Sequence, residues 1–393
     1  MRKYIAFTLI ALFIVLTLFG CSKKANTNQT PDPSYAPNTP KINNEDAITR
    51  TPNSIGIFPP VEKEEIKIGV IYNSDPEAVA SDSYAHDQGI EEAREVFELK
   101  SSQIIKKTNV SEKDEAAIKQ AIESCIKAGC HIIFGTNAGY AKVMGEYAEL
   151  YPNVIFSNAG GNKSNDTNFN NYSGDIYQAW YLAGIVAGMS TESDLIGFVA
   201  SFGTNNNEIT VAINAFAMGV NSVNSKAKVH LQITNSKFDA EQEHFAAVAL
   251  IEKGCDVLAQ HCGSSIPQTT AQNQKVYGIG YNEDMSKDAP KAVLTSVVYN
   301  WDIYYKLAIY YVIAGEWTNE NYRGTLGEGF VDITPLANFS AKGAEEKVEE
   351  AKANFARGDW DIFKGEIPAN DGSSKTVSDL SEIDWYFKNI IVE

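Results

Sequence analysis

Short aliphatic or β-branched runs alternate with stretches of helical periodicity from residue 65 to about residue 355. This alternation is typical of βαβ units, in which parallel strands are joined by helices. The predicted strands are 66–72, 104–107, 131–135, 154–158, 195–200, 228–234, 256–260, 275–280 and 292–298. The predicted helices are 85–97, 112–128, 141–150, 177–190, 210–223, 240–253, 301–314 and 341–355. The pattern therefore predicts an α/β fold with parallel sheet flanked by helices.

Two of these units are alike, because 112–135 and 240–260 each combine an amphipathic helix, a Gly-Cys turn and a buried strand. The body of about 330 residues also exceeds what one hydrophobic core usually supports. We therefore expect two tandem Rossmann-like lobes joined by a hinge, with ligand bound beyond the carboxyl ends of the strands. The predicted N-terminal lobe is 64–175 plus about 286–325, and the predicted C-terminal lobe is 176–285 plus about 326–393.

The first residues have the pattern of an exported lipoprotein. Arg2 and Lys3 precede an apolar run, 4–19, which is shorter than the ~20 residues of a membrane-spanning helix. The run ends in Leu-Phe-Gly before Cys21, which resembles a bacterial lipobox, so 1–20 are predicted to be a signal peptide and Cys21 to carry lipid. An ordinary signal peptide with a chance cysteine is the alternative. The proline-rich and asparagine-rich remainder of 21–63 is predicted to be a disordered tether.

Charge and missing motifs exclude several function classes. The formal net charge is −17 and no basic cluster stands out, which disfavours a nucleic-acid partner. No phosphate loop or zinc-protease motif occurs, so we expect a monomeric binding protein without metal, cofactor or catalytic residues. Cys125, Cys130, Cys255 and Cys262 are predicted to be buried free thiols, although the first two leave a pairing open.

Polar and aromatic side chains gather at the predicted strand ends. Ligand pockets combine aromatic walls with a few placed donors and acceptors, and Asn and Gln supply both functions. Turn formation and helix capping are the alternative for each residue. His261 and Cys262 are neighbours on a strand and point to opposite faces, which disfavours a hydrolase. His86 is either a pocket contact or a structural cap. The residues concerned are Tyr72, Asn73, Asn137, Asn158, Phe202, Gln260, His261, Tyr281 and Asn282.

Several stretches resemble the basic membrane protein family of type I periplasmic-binding-protein-like lipoproteins. These stretches are 134–140, 148–156, 177–188, 213–219, 256–261 and 294–301. The resemblance implies capture of a purine nucleobase or nucleoside for an ABC permease and its ATPase. It also implies that two aromatic rings sandwich the purine, at positions that align here with Asp82 and Lys237. Either Tyr84 and Phe238, which lie next to those positions, stack on the base instead, or the pocket holds something other than a flat base.

The resemblance completes the candidate site. The family's acidic residue aligns with Asn282 or Asp284, and a family lysine aligns with Tyr299. The full candidate set is Tyr72, Asn73, Asp82, Ser83, Tyr84, His86, Asn137, Tyr140, Asn158, Phe202, Lys237, Phe238, Gln260, His261, Tyr281, Asn282 and Asp284.

Three functions follow from these patterns. The first is a solute-binding lipoprotein of an ABC importer, held at the outer face of the cytoplasmic membrane. The second is a lipoprotein that senses a ligand and signals to a membrane partner, or that binds a different polar solute. The third and weakest is a surface hydrolase.

Overall fold

The structure, a computed structural model, describes residues 58–78, 81–161, 163–358 and 360–393. The predicted signal peptide, Cys21 and nearly all of the tether lie outside these residues. Within the described ranges, no helix is long and apolar enough to cross a membrane.

The described chain alternates strands and helices as the sequence predicts. The strands are β1 (Ile68–Ile71), β2 (Ile104–Lys107), β3 (Ile132–Gly135), β4 (Ile155–Ala159), β5 (Phe169–Gly174), β6 (Leu195–Ala200), β7 (Lys228–Ile233), β8 (Val257–His261), β9 (Tyr277–Tyr281), β10 (Val293–Tyr299), β11 (Tyr322–Gly324), β12 (Val331–Ile333), β13 (Glu366–Pro368), β14 (Ser374–Thr376) and β15 (Ile390–Val392). The helices are α1 (Asp82–Val96), α2 (Glu115–Lys127), α3 (Ala141–Leu150), α4 (Ile176–Ser190), α5 (Asn207–Val223), α6 (Ala240–Glu252), α7 (Ile266–Gln274), α8 (Trp301–Ala314) and α9 (Ala344–Ala356).

Two large sheets define the two lobes. The N-terminal sheet has the order β11-β5-β4-β3-β1-β2, and all its pairs are parallel. The C-terminal sheet has the order β12-β10-β9-β8-β6-β7-β15, in which β12 alone is antiparallel to its neighbour. Helices cover both faces of each sheet. The predicted α/β fold with two parallel-sheet lobes is therefore confirmed.

The described chain crosses between the lobes after β5, after β10 and after β11. The predicted boundary at about residue 286 is wrong by one strand, because β10 pairs in parallel with β9 and keeps residues 293–299 in the C-terminal lobe. The Phe330 ring packs against two of the crossing segments at the hinge. A Cβ built at Gly174 would lie 2.6 Å from the Phe330 ring, and one at Gly324 would lie 2.2 Å from it. Only glycine allows the crossing segments to approach this ring so closely.

Elements with weak periodicity are the ones that sequence patterns missed. The predicted bounds of α3, α8 and β6 agree with the structure at both ends. In contrast, β5 reads Phe-Asn-Asn-Tyr-Ser-Gly and α7 reads Ile-Pro-Gln-Thr-Thr-Ala-Gln-Asn-Gln, so neither has a continuous apolar face. Their pairing and packing partners determine their conformation, as tertiary context often does for such segments.

Helices α4 and α5 pack backbone to backbone on the inner face of the C-terminal sheet. A Cβ at Gly184 of α4 would lie 2.1 Å from the carbonyl oxygen of Phe216, and a Cβ at Gly219 of α5 would lie 2.1 Å from that of Tyr181. Such approaches exclude any side chain. The two helices therefore behave as one layer, and their N-terminal turns both lie at the cleft side of the sheet.

We expect Gly184→Ala to lower the free energy of unfolding by about 1–3 kcal/mol, because the added methyl group forces two packed helices apart. Gly145→Ala in α3 is the matched control. Its Cβ would meet the Phe169 ring at 3.4 Å, an ordinary contact. Alanine is also a better helix former by about 1 kcal/mol, so the control should be neutral or stabilised. Equal denaturation midpoints for the two variants would contradict the proposed close packing.

Candidate functional site

The carboxyl ends of the strands in the two sheets meet across a cleft, and one hydrogen bond joins the lobes there. Asn282 follows β9, and its Nδ2 donates to Oδ1 of Asp82 at 2.7 Å. Asp82 begins α1 in the other lobe, next to the N-cap Ser81. Asn282 has a φ of 75°, a left-handed conformation that asparagine adopts more readily than most residues. The turn aims this amide at the opposite lobe.

Trp180, His261 and Tyr281 form what we call the C-terminal aromatic cluster. The rings of His261 and Tyr281 stack with centroids 4.1 Å apart, because they end the neighbouring strands β8 and β9. Trp180 enters from the second turn of α4, with its ring 5.9 Å from His261 and 5.6 Å from Tyr281. Stacked rings at these distances add about 0.5–1.5 kcal/mol per pair beyond the burial of area. The cluster is therefore a rigid wall of the cleft.

A second group, the hinge aromatic stack, consists of His86, Trp301 and Tyr299. Trp301 lies 4.0 Å from His86 of α1 and 4.4 Å from Tyr299 of β10, centroid to centroid. His86 is fixed further by a hydrogen bond of 2.8 Å between its Nδ1 and the hydroxyl of Tyr305. The stack spans the crossing at Asn300 and thus connects an N-terminal helix to a C-terminal strand. It forms an aromatic boundary of the cleft at the hinge.

The two histidines are neutral at physiological pH. Burial lowers the pKa of His86 to about 3. Burial also lowers the pKa of His261 to about 4, although the charge of Asp82 opposes that shift. A neutral imidazole offers one N–H donor and one acceptor nitrogen, which is the complement of a polar heterocycle's edge.

Two buried nitrogens of the C-terminal aromatic cluster have no hydrogen-bond partner in the described part of the chain. They are Nε1 of Trp180, which is fully buried, and Nε2 of His261, which is 8 % exposed. Buried polar atoms are nearly always paired, and an unpaired one costs about 1–3 kcal/mol. A solute in the cleft that accepts a hydrogen bond from the indole or pairs with the imidazole would remove that cost.

A carboxylate from each lobe faces the cleft. Glu208 lies in the first turn of α5 and accepts a hydrogen bond from the Tyr299 hydroxyl at 3.3 Å. The surrounding protein raises the pKa of Glu208, and the charge of Asp82 raises it further. The Tyr299 bond and the more distant Lys237 and Arg323 act in the opposite direction. Because Glu208 remains accessible to water, the rise in its pKa is weaker than for an enclosed carboxyl.

Six sequence candidates make structural contacts outside the cleft wall. The Tyr72 hydroxyl donates to Asp87, and the Tyr140 hydroxyl donates to the carbonyl oxygen of Val110 inside the core. Two other residues cap short turns with their side chains, and two are fully buried beside their own strand ends. These four are Asn137, Asp284, Asn158 and Gln260. Turn formation, capping and core packing, the alternatives to ligand binding, describe the contacts of the first four. Asn158 and Gln260 also bond locally, but Oδ1 of Asn158 and Oε1 of Gln260 have no partner among the described residues.

The remaining candidates lie around the cleft mouth. Asn73 follows β1, and its Oδ1 accepts a hydrogen bond of 3.3 Å from the hydroxyl of Ser83 in α1. Tyr84 and Phe202 are half-buried, whereas Lys237 and Phe238 are exposed. The charge of Lys237 opposes the rise in the pKa of Glu208.

The candidate set drawn from the sequence contains neither Glu208 nor Trp180, and Tyr299 entered only as the residue that aligns with a family lysine. A signal for Glu208 existed, since the first turn of a helix after a parallel strand always lies at the carboxyl edge of the sheet. No local signal distinguishes Trp180 from the other apolar residues of α4.

The hydrolase hypothesis gains no geometric support. Cys262 packs in the hydrophobic cluster beneath α6 and α7, on the face opposite to His261. Burial raises the pKa of its thiol well above the usual range, whereas a nucleophile needs a thiolate. Cys125, Cys130, Cys255 and Cys262 are all free and buried, as predicted. Among the described residues, no cluster of His, Cys, Asp and Glu could hold a metal ion.

Two parallel-sheet lobes with an aromatic cleft between their carboxyl edges define the class of two-lobed solute receptors. Within that class, the chain belongs to the Bmp family of PnrA-like ABC transporter substrate-binding proteins, whose family model matches residues 67–357. The predicted family and the predicted role as the solute-binding subunit of an ABC transporter are therefore confirmed. Such a subunit works outside the cytoplasm with a permease and a small-molecule ligand.

Relatives in sequence support the same assignment, and a solved structure shows the same fold. A purine-binding protein of Brucella abortus is 32% identical over 311 residues, 79% of this chain and 87% of that protein. A putative ABC transporter glucose-binding protein of Haloferax volcanii is 29% identical over 72% of this chain and 70% of its own length. An ABC transporter solute-binding protein structure from Conexibacter woesei superposes with a TM-score of 0.64 at 17% identity, covering 76% of this chain and 98% of that one.

We expect His261 to make the protein less stable in acid. Its pKa of about 4 in the folded state is below the 6.5 of an unfolded histidine. Only the unfolded chain binds the proton between these values, so stability present above pH 6.5 is lost as the pH falls towards 4. Each pKa unit corresponds to about 1.4 kcal/mol.

Urea unfolding at a series of pH values measures this loss. His261→Gln should flatten the decline between pH 6.5 and 4, whereas His244→Gln, at an exposed histidine of α6, serves as the control. An unchanged slope in His261→Gln would show that the imidazole is not held neutral by burial.

Proposed function

We propose that this protein captures a purine nucleobase or nucleoside between its lobes and delivers it to an ABC permease. The observation that carries the proposal is the C-terminal aromatic cluster with its two unpaired buried nitrogens. An aromatic wall supplies a flat apolar surface, and the indole and imidazole nitrogens supply directional polar contacts. A heterocycle that is both flat and rich in ring nitrogens matches this combination. The similarity to the purine-binding protein of Brucella abortus supports the same solute.

Lobe closure is the proposed means of capture. Each lobe contributes one half of the site, so the solute contacts both halves only when the hinge at Gly174 and Gly324 brings them together. The hydrogen bond between Asn282 and Asp82 is a contact of the closed arrangement. A solute that favours closure over opening shifts the equilibrium by its differential affinity for the two forms.

Anchoring and partners complete the proposal. Cys21 carries a lipid that holds the domain at the outer face of the cytoplasmic membrane, with the proline-rich segment from residue 22 as the tether. The predicted end of this tether at residue 63 is too late, because Phe58 packs against Trp317 and the amide of Val61 donates to the carbonyl oxygen of Ile313. The protein acts as a monomer and binds without catalysing a reaction. The alternative is that the captured solute triggers signalling to a membrane partner. Neighbouring genes for permease subunits would favour transport, and a neighbouring kinase gene would favour signalling.

Purines should raise the melting temperature of the purified domain. A ligand at 100 times its dissociation constant stabilises the folded state by about 2.7 kcal/mol. The panel compares purine bases and nucleosides with glucose, the solute named for the Haloferax relative. Mass spectrometry of solutes released on denaturation provides an independent identification. A shift with glucose and with no purine would overturn the proposed solute and leave the receptor assignment intact.

Replacing the proposed lipid attachment site should release the protein from the membrane. Cys21→Ser removes the thiol that would form the thioether, so we expect complete loss of labelled palmitate and a shift from the membrane to the soluble fraction. Cys125→Ser, at a buried thiol of α2, is the control and should retain the label. Label that persists in Cys21→Ser would contradict lipidation at this residue.

A further inference from the structure

Two carboxylates reach the cleft from opposite lobes, and both come from the first turn of a helix. Asp82 begins α1 and Glu208 is the second residue of α5. Each helix follows the strand whose carboxyl end forms the cleft edge, namely β1 for α1 and β6 for α5. The fold therefore places both side chains in the cleft without any need for a structural ion pair. In the described part of the chain, Oδ1 of Asp82 accepts from Asn282 and Oε1 of Glu208 accepts from Tyr299, and both donors are neutral.

Hydrogen bonds place the two groups on neighbouring parts of the cleft, where their charges interact unfavourably. Asp82 bonds to Asn282 at the end of β9, and Glu208 bonds to Tyr299 at the end of the adjacent strand β10. Burial raises the pKa of Glu208, and the charge of Asp82 raises it further. Burial likewise raises the pKa of Tyr281 most, and the charges of Asp82 and Glu208 add to that rise. Lys237 and Arg323 oppose the effect on Glu208, but they act as distant charges and do not contact it. Closure of the lobes thus brings like charges together, which costs free energy unless something between them donates hydrogen bonds or carries positive charge.

The unpaired nitrogens are an independent sign that a ligand lies beside these carboxylates. The charge of Asp82 acts on His261 and partly opposes the lowering of its pKa by burial. The same imidazole is 8 % exposed and leaves Nε2 without a partner among the described residues, as the buried Trp180 leaves Nε1. One side of the cleft therefore offers acceptor oxygens, and the stacked wall beside it offers ring nitrogens.

We infer that Asp82 and Glu208 form an acceptor subsite that selects a purine whose edge presents two adjacent N–H donors, as guanine does. This inference rests on the proposed function and deepens it. The ring N1–H and the exocyclic amino group of guanine lie side by side, and a carboxylate can accept from both at once. Hypoxanthine and inosine keep the ring N–H and lack the amino group.

The two carboxylates lie beside an aromatic surface. Asp82 bonds to Asn282, the residue after Tyr281, and Tyr281 stacks on His261 in the C-terminal aromatic cluster. A ligand on this wall would therefore present its edge to the carboxylates.

Isothermal titration of the wild-type domain with guanosine and inosine tests the subsite, because the two nucleosides differ by one amino group. Guanine and hypoxanthine are run beside them in case the closed cleft excludes ribose. We expect the amino-bearing member of each pair to bind about tenfold or more tightly, the effect of one unmatched buried hydrogen bond. Asp82→Asn and Glu208→Gln each place an NH₂ donor against the ligand's donors and should abolish most of that preference.

One control variant and one stability measurement separate the subsite from general effects on folding. Glu346→Gln replaces a first-turn carboxylate of α9, whose N-cap Gly343 lies against Met189 at the far end of α4. It should keep the wild-type preference. Glu208→Gln should also melt higher than wild type at pH 7 in the absence of ligand. Because folding raises the pKa of Glu208, the ionised carboxylate destabilises the folded state at a pH above that pKa. The stability that the protonated form contributes is present only at lower pH.

The outcomes distinguish this inference from the proposed function. Equal affinity of the wild type for guanosine and inosine, and for the two bases, overturns the acceptor subsite and leaves purine capture standing. Preference for the amino group that survives both substitutions overturns it as well. If no purine binds at all, the proposed function itself fails.

Discussion

Parallel strand pairing is the constraint on which the rest of this structure depends. In a parallel sheet every strand ends at the same edge, and every following helix begins there. The two sheets of this protein present those edges to each other across the hinge. Strand-end residues such as His261 and Asn282, and first-turn residues such as Asp82 and Glu208, are consequently gathered in one cleft although they are far apart in sequence.

The cleft contains several features that destabilise the fold, and the close packing of the surrounding helices and hinge offsets them. Burial keeps His86 and His261 neutral and leaves polar nitrogens unpaired, and the charges of Asp82 and Glu208 oppose each other at the cleft. Each of these features destabilises the empty protein. Close backbone packing at Gly184 and Gly219 and the ring of Phe330 over the hinge glycines hold the surrounding framework in place. Free energy is thus available to a solute that restores the missing contacts on binding.

The framework also explains why the same fold accepts different solutes. The relatives include a purine-binding protein and a putative glucose-binding protein at similar identity. Core positions determine the lobes and the hinge, whereas residues at strand ends and first turns, such as Asn282 and Asp82, line the cleft. Specificity in this family is therefore expected to depend on a few residues at strand ends and first turns, and the fold alone does not indicate the solute.

The sequence by itself determined most of the strand and helix order, the presence of two lobes and the family, because hydrophobic periodicity and motif spacing are local properties that need no partner. It did not determine β5, α7 or the short strands β11 to β15. Elements with a clear apolar face, such as α3 and α8, were predicted to the residue. Only the tertiary structure decided which polar residues reach the cleft. Gln260 and His261 are adjacent in sequence, yet one is buried beneath a helix and the other stacks in the cleft wall. Side chains alternate between the faces of a strand, and which face meets the cleft depends on helices from elsewhere in the chain.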